Sequence, residues 1–286
     1  MDSNSKTQKH ILLTGGEGFV GQNIIEQLGI KYEITAPTRQ ELDLTDLVAV
    51  KHFFQNNTFD AIIHAANIGT YKDGQMPDQT CAQNIQMFFN LATQLKPNQT
   101  MIFLGSGAEY DKRHDIAIAA ETDFGKSVPA DSYGFAKYVC SQYIEKTDSI
   151  IDLRCFGLYG KYEQTTRFIS GAIIKALTNQ PIVINQNVFF DYLYVNDLAG
   201  IIDYFLTHKA KHSWYIAASG IRTDLLTLAN LVKKITGSQS EITVAQPGLN
   251  KEYTANNDRL RQETNFAFTS IEEGIKRLME YYRKNI

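Results

Sequence analysis

One glycine-spaced loop constrains this chain more than any other feature. His10–Thr14 (HILLT) is a short apolar run of strand length, and Phe19–Leu28 repeats apolar residues at helical spacing. Their junction reads Thr14-Gly15-Gly16-Glu17-Gly18-Phe19-Val20-Gly21. Gly15 permits a tight turn. Gly18 removes a side chain where a pyrophosphate must approach backbone, and Gly21 permits close packing of helix on strand. The helix N-terminus offers unpaired N–H groups and the positive end of its dipole. Glycine-rich structural turns share the composition, but they need no strand before and helix after. The unit predicts a dinucleotide-binding fold, with Gly15, Gly18, Phe19 and Val20 along the pyrophosphate.

The alternation continues. Apolar runs at Glu33–Ala36, Ala61–His64, Met101–Leu104 and Ile150–Arg154 alternate with helical patterns at Leu47–Phe54, Gln79–Leu95 and Tyr133–Glu145. Short, near-continuously apolar strands separated by helices predict an α/β, doubly wound parallel sheet covered on both faces. Beyond about residue 160 the pattern loosens. Phe168–Leu177, Val195–Leu206, Leu225–Ile235 and Ile271–Tyr282 read as helices, and Pro181–Asn185 and Phe190–Tyr194 as strands. We expect residues 1–165 to form the cofactor-binding domain, with 187–217 returning to it. Residues 166–186 and 218–286 form a smaller, interleaved substrate-binding part. A chain of 286 residues, 43% hydrophobic, can bury such a core without disulfides or metal.

Composition removes several partners. A net charge of −3 supplies no basic excess for nucleic acid or an anionic membrane. Cys81, Cys140 and Cys155 are an odd set without a CxxC, so neither a disulfide framework nor a zinc site is expected, and no metal. The N-terminal nine residues are polar, unlike a signal peptide, and no apolar run reaches membrane-spanning length. A soluble cytoplasmic protein is expected.

Tyr133-Gly134-Phe135-Ala136-Lys137 puts a phenol and an ammonium on one helix face. A free phenol titrates near ~10, and a neighbouring ammonium stabilises its anion, as proton exchange at neutral pH requires. Lys137 can also bond a cofactor ribose. YxxxK alone is common on exposed helices. Here Ser106 stands just past the fourth strand, in Gly105-Ser106-Gly107-Ala108-Glu109-Tyr110, at a strand end that faces the cofactor. Ser106 can bond the substrate oxygen and share its developing charge with Tyr133. The second strand ends in Ala36-Pro37-Thr38-Arg39, without the acid that commonly binds an NAD ribose. The planar fork of Arg39 suits a 2′-phosphate. NADP(H) is favoured, with NAD(H) as the alternative and a solvated loop arginine as the plain reading.

Together these segments resemble an extended short-chain dehydrogenase/reductase of the NAD-dependent epimerase/dehydratase family. The resemblance runs from about Ile11 to Asp197 and rests on TGGEGFVG (14–21), HAAN (64–67), GSGAEY (105–110), YGFAK (133–137), RCFGLYG (154–160) and DYLYVNDLA (191–199). It implies a Rossmann fold, a nucleotide-sugar substrate and catalytic roles for Ser106, Tyr133 and Lys137. It also implies that Asp43 and Leu44 lie along the adenine, that Ala65 and Ala66 run beside the cofactor, and that the chain forms a homodimer. Phe88, Phe89, Tyr138 and Tyr143 are candidates for that dimer contact or for internal core.

The resemblance bears on the reaction as well. Dehydratases of the family carry Asp-Glu after the catalytic Ser or Thr, where this chain has Gly107 and Ala108. Glu109, one position later, alternates to the other side of an extended segment and is equally a structural or a substrate-side carboxylate. No Cys or His pair stands ready for epimerisation beside a ketone. Reduction of a 4-keto sugar is favoured, with 4-epimerisation and a catalytically silent dinucleotide-binding regulator as alternatives. Two family arginines that hold a diphosphate are replaced, one by Phe190 beside Phe189 and one by Gln246. Arg222, Lys251, Arg259 or Arg167 are candidates to replace them, so Phe190 and Arg222 are expected at the substrate together with Ser106 and Glu109.

Overall fold

A computed structural model describes residues 8–69 and 78–286. The polar residues 1–7, on which part of the leader expectation rests, lie outside the described residues. In chain order the N-terminal half forms β1 (His10–Thr14), α1 (Phe19–Leu28), β2 (Glu33–Thr35), α2 (Leu47–Asn56), β3 (Ala61–His64), α3 (Asp78–Ala92), β4 (Thr100–Ser106), β5 (Ile116–Ala119), α4 (Ser132–Ile144) and β6 (Ile150–Cys155). The remainder forms β7 (Leu158–Tyr159), α5 (Phe168–Leu177), β8 (Ile182–Asn187), β9 (Phe189–Asp191), β10 (Leu193–Tyr194), α6 (Val195–Thr207), β11 (Trp214–Ala217), β12 (Arg222–Asp224), α7 (Leu225–Thr236), β13 (Ile242–Leu249), β14 (Tyr253–Ala255), α8 (Asp258–Thr264) and α9 (Ile271–Arg283).

Six strands pair in the order β11-β6-β4-β3-β1-β2, every pair parallel. This is the expected doubly wound α/β sheet. Strand alternation splits its core between two faces. Leu13, Ile63, Ile102 and Leu153 pack with residues of α1 and α6 on one face. Leu12, Ile62, Met101 and Phe103 pack with residues of α2, α3 and α4 on the other. Each such side chain contributes about 1.5–3 kcal/mol by leaving water. A third cluster joins α5, α7 and α9 around Ile173, Val232 and Leu278.

The C-terminal half departs most from the sequence pattern. The expected strand Phe190–Tyr194 is two strands broken at Tyr192, because β9 pairs β12 and β14 while β10 pairs β7. Trp214–Ala217, which showed no clear strand pattern, is an edge strand of the main sheet. A small sheet of order β12-β9-β14-β5 joins residues from both halves of the chain. Among the described residues no helix is long and apolar enough to cross a membrane.

Candidate active site

The sheet changes direction at β1: the chain steps outward to β2, then returns to lay β3 and β4 on the other side. Ligands of open α/β sheets bind at such reversals, outside the carboxyl ends of the strands. A cleft of about 370 Å³ opens there, lined by residues 14–21, Pro37, Arg39, Leu42, Asp43, Leu44, residues 65–69 and Met87. Gly15, Gly18, Phe19, Val20, Arg39, Asp43, Leu44, Ala65 and Ala66 all lie on this lining.

The loop glycines have different causes. Gly15 has φ +75°, and a Cβ there would lie 2.7 Å from the Ala66 backbone. A Cβ on Gly21 would lie 2.1 Å from the Gly15 carbonyl oxygen. The fold itself demands both. A Cβ on Gly18 would meet only the Gly15 carbonyl, at 3.3 Å, so packing alone does not demand glycine there. Gly18 is also the N-cap of α1 and supplies no side-chain cap, whereas Asp46, Asp131, Asp224 and Ser270 cap α2, α4, α7 and α9. The first-turn N–H groups of α1 therefore lack a side-chain acceptor beside an open cleft, which fits a dinucleotide pyrophosphate.

Below the cleft, buried His64 meets Thr14 Oγ1 through Nδ1 at 2.8 Å, and Thr14 Oγ1 also accepts from Ala66 N at 3.3 Å. Burial, helped by the Lys137 charge, pushes the imidazole down to about 3. It is a neutral tie between β1 and β3. At the adenosine end Arg39 is 63% exposed and meets Asp43 only at 3.8 Å. Asp43 Oδ1 accepts from Thr45 N at 2.9 Å and Thr45 Oγ1 at 2.7 Å, which holds its carboxyl below the usual range. Only its other oxygen is left for an adenine amino group.

Ser106, Tyr133 and Lys137 lie where β4 meets α4. Lys137 Nζ donates to Leu104 O at 2.6 Å and stands 4.3 Å from the Phe103 ring and 6.0 Å from the Tyr133 ring. A Cβ on Gly134 would lie 2.7 Å from Ala108 O, so the first turn of α4 rests on the loop that carries Ser106. That loop is a 3-10 turn, Gly107–Tyr110, capped reciprocally: Ser106 Oγ accepts from Ala108 N at 3.1 Å, and Ser106 N donates to Glu109 Oε1 at 2.8 Å.

This turn corrects the expectation for Glu109. The segment is not extended, so alternation does not apply. Glu109 curls under Ser106 and is fully buried. Its Oε2 lies 3.0 Å from Arg154 Nε and 2.8 Å from Ser141 Oγ. Asp152 Oδ2 lies 2.9 Å from the same Nε and 2.7 Å from the same Oγ. Ser141 has one hydrogen to donate, so one of the two carboxyls must carry a proton to make both contacts hydrogen bonds. Burial pushes both upward, Asp152 adding to the effect on Glu109 and Arg154 opposing it. Asp152 Oδ1 has no hydrogen-bond partner, which favours the neutral acid at Asp152. Arg154 is itself fully buried, with its guanidinium 3.8 Å from the Phe124 ring centroid. Tyr133, Lys137 and Ser141 follow at i, i+4 and i+8, so the helix face that carries Tyr133 and Lys137 is anchored on this cluster.

The substrate side is less as expected. Phe190 stacks 5.4 Å from Tyr192 and lies 5.4 Å from Tyr253, which lies 4.7 Å from Phe156. Arg222 pairs in register with Asp191 and thus faces away from Phe190 and Thr223. Glu252 holds its fork with two 2.8 Å bonds, and its guanidinium lies 3.2 Å from the Phe189 ring. Arg222 is thus not brought to Ser106. The sequence reading missed the Ser141–Asp152 pair. Asp152 and Arg154, two apart in an apolar strand, were the available signal, since such residues share a face.

Residues 11–217 match the NAD dependent epimerase/dehydratase family. The GDP-L-colitose synthase of Yersinia pseudotuberculosis is 28% identical over 225 residues, 70% of this chain and 73% of that one. Among solved structures, a GDP-mannoheptose C4 reductase from Campylobacter jejuni with NADP bound is similar at TM-score 0.83 and 18% identity, covering 97% of this chain and 99% of that one. A UDP-glucose 4-epimerase from Thermotoga maritima is similar at TM-score 0.82 and 20% identity, covering 96% and 99%. The chain belongs to the NAD dependent epimerase/dehydratase family and is an enzyme of the short-chain dehydrogenase/reductase type, built to hold a nicotinamide dinucleotide.

Proposed function

We propose that this enzyme reduces a 4-keto nucleotide sugar with NADPH, a step of deoxysugar and surface-polysaccharide synthesis. The observation that carries the reading is the Ser106, Tyr133 and Lys137 set beside the dinucleotide cleft, followed by Gly107 and Ala108 instead of an acid–base pair. When bound, the reduced nicotinamide supplies the hydride that the carbonyl carbon accepts. Tyr133 gives its phenolic proton to the carbonyl oxygen and recovers one from solvent. Ser106 donates a hydrogen bond to the same oxygen, where charge develops. Lys137 presents its ammonium to the phenol and to the ribose. Arg39 supports the choice of NADPH, since an exposed guanidinium without a tight partner can clasp a 2′-phosphate.

The substrate-binding part comprises residues 166–186 and 218–286, with Phe190 forming part of the wall. The protein works in the cytoplasm as a homodimer joined through α3 and α4, where Phe89 and Tyr143 meet at 5.1 Å and Tyr143 is 41% exposed. A second reading, an NAD-dependent 4-epimerase, is supported by the likeness in shape to the Thermotoga epimerase. One experiment separates them: purified protein, NADPH and a 4-keto nucleotide sugar, followed by absorbance and product analysis. Consumption of one NADPH per alcohol formed is expected. Interconversion of 4-hydroxy epimers on retained NAD, without net oxidation, would replace the reductase reading.

A further inference from the structure

We propose that Glu109 is a positioning residue of the reduction, fixing the spacing between Ser106 and the helix that carries Tyr133 and Lys137. The inference rests on the reading of those three residues as the reducing site and goes one residue beyond it. Glu109 touches both sides with one carboxyl. Its Oε1 accepts from Ser106 N at 2.8 Å, and its Oε2 accepts from Ser141 Oγ of α4 at 2.8 Å. A side chain that served only to cap the turn would need the first contact and not the second.

The turn that carries Ser106 meets α4 at two places. Near Tyr133, a Cβ on Gly134 would lie 2.7 Å from Ala108 O, so backbone rests on backbone. Ser141 stands seven residues further on (141 minus 134), about 10 Å along the helix axis. One attachment would leave a pivot, whereas two fix the direction of α4 as well as its distance. The neighbouring strand β6 closes the frame. Arg154 is the register partner of Gly105, and its Nε lies 3.0 Å from Glu109 Oε2. A Cβ on Gly105 would overlap Asp152 Oδ1 and lie 2.7 Å from Glu109 Oε1. The residue before Ser106 is therefore glycine because the two carboxyls fill the space of its side chain.

The donor set explains why the bridge is a carboxyl. Ser106 N–H faces one oxygen of Glu109, and Ser141 O–H and Arg154 Nε–H face the other. Only a group with acceptors at both ends spans that gap. Glutamine has the same shape but an acceptor at one end and two donors at the other. Whichever way its amide turns, it sets N–H against N–H, at Ser106 or at Arg154. In the reducing reading Ser106 and Tyr133 must meet a single substrate oxygen, and a misplacement of about 1 Å between such groups can cost on the order of 10²-fold.

Glu109→Gln is expected to lower kcat about 10- to 100-fold with NADPH and the 4-keto sugar. KM for the sugar and the dissociation constant for NADPH should change less than about threefold, since the cluster is not part of the cleft lining. Ser141→Ala cuts the other end of the bridge without removing a charge and should lower kcat in the same direction. Added to Glu109→Gln it should cost less than about twofold more. Spacing matters only while both donors are present, so in a Ser106→Ala background Glu109→Gln should change kcat less than about threefold. A kcat for Glu109→Gln within about twofold of the parent enzyme overturns the proposal. A loss that persists in full in the Ser106→Ala background, or one confined to KM, also overturns it, since Glu109 is then a packing or binding residue. Should Glu109→Gln not fold, Ser141→Ala and its cross with Ser106→Ala decide by the same criteria. Failure of the parent reading is distinguishable: the unmodified enzyme would then turn over neither the ketone nor the 4-hydroxy sugar, and the positioning role would fall with it.

Discussion

The two ends of this site are built from different materials. The cofactor end is mostly backbone: Gly15 and Gly21 are fixed by contacts with Ala66 and with each other, and α1 presents uncapped N–H groups. The chemical end is made of side chains. Ser106, Tyr133 and Lys137 are held by Leu104 O, by the Glu109 cap and, through the helix, by the Ser141–Asp152–Arg154 cluster. A backbone site is disturbed by adding atoms, whereas a side-chain site is disturbed by removing them. The two ends can therefore be broken separately.

The largest effect belongs to the chemical end. Tyr133→Phe is expected to lower kcat by roughly 10²–10⁴-fold, as loss of a general acid does, with dinucleotide affinity within a few fold by fluorescence titration. A fall of less than tenfold would move the proton donor elsewhere. Arg154→Met strands two buried carboxyls without their cation and should cost about 3–5 kcal/mol in urea unfolding. Near-wild-type stability would mean that the cluster carries more than one proton. Gly21→Ala attacks the other end by addition: its Cβ starts 2.1 Å from Gly15 O. Displacing that turn should cost about 1–3 kcal/mol of dinucleotide binding by calorimetry, and less than threefold in kcat at saturating cofactor.

Glu163 serves as a control in neither end. It is buried, accepts from Ser170 Oγ at 2.7 Å, and meets Arg167 only at 3.8 Å. Burial pushes its carboxyl up to about 7. The folded state therefore holds the proton where the unfolded chain releases it. The stabilisation is complete below about 4.5 and lost as pH rises through about 7, a change of about 3 kcal/mol. Glu163→Gln should flatten that part of the stability–pH curve, and an unchanged slope would assign it to another group. The smallest effect is expected from Arg39→Ala, which should weaken NADPH by about tenfold and leave NADH unaffected. Equal loss for both cofactors would assign Arg39 to general steering.

The same contrast governs what the sequence could reveal. Main-chain sites leave a compact signature, because only glycine satisfies Gly15 and Gly21, and the reading of residues 14–21 carried directly into the structure. Main-sheet strands were legible because both faces are covered, so their residues are apolar without interruption. Trp214–Ala217 escaped because four residues beside a polar loop offer too little pattern. Phe190–Tyr194 misled because two strands in different sheets run together through one aromatic stretch. Glu109 could not be placed until the 3-10 turn was visible, since a shift from extended to turned backbone reverses which side a residue faces. Arg222 was a plausible phosphate ligand by charge alone, yet strand register sends it to the far face. The pairing of β14 with β5 was illegible in principle, because it is set by topology and not by spacing.

The β5–β14 pairing also has a consequence in time. Ile118 and Thr254 are bonded across a separation of 136 residues. The lining of the dinucleotide cleft, by contrast, is complete by Met87. Contacts between distant residues form late, because loop closure must precede any gain from them. As the chain leaves the ribosome, every residue that lines the cleft is therefore made long before the strand that closes the small sheet. β14, the strand that completes this pairing, is among the last parts to arrive, so the small sheet closes only after nearly the whole chain has been made.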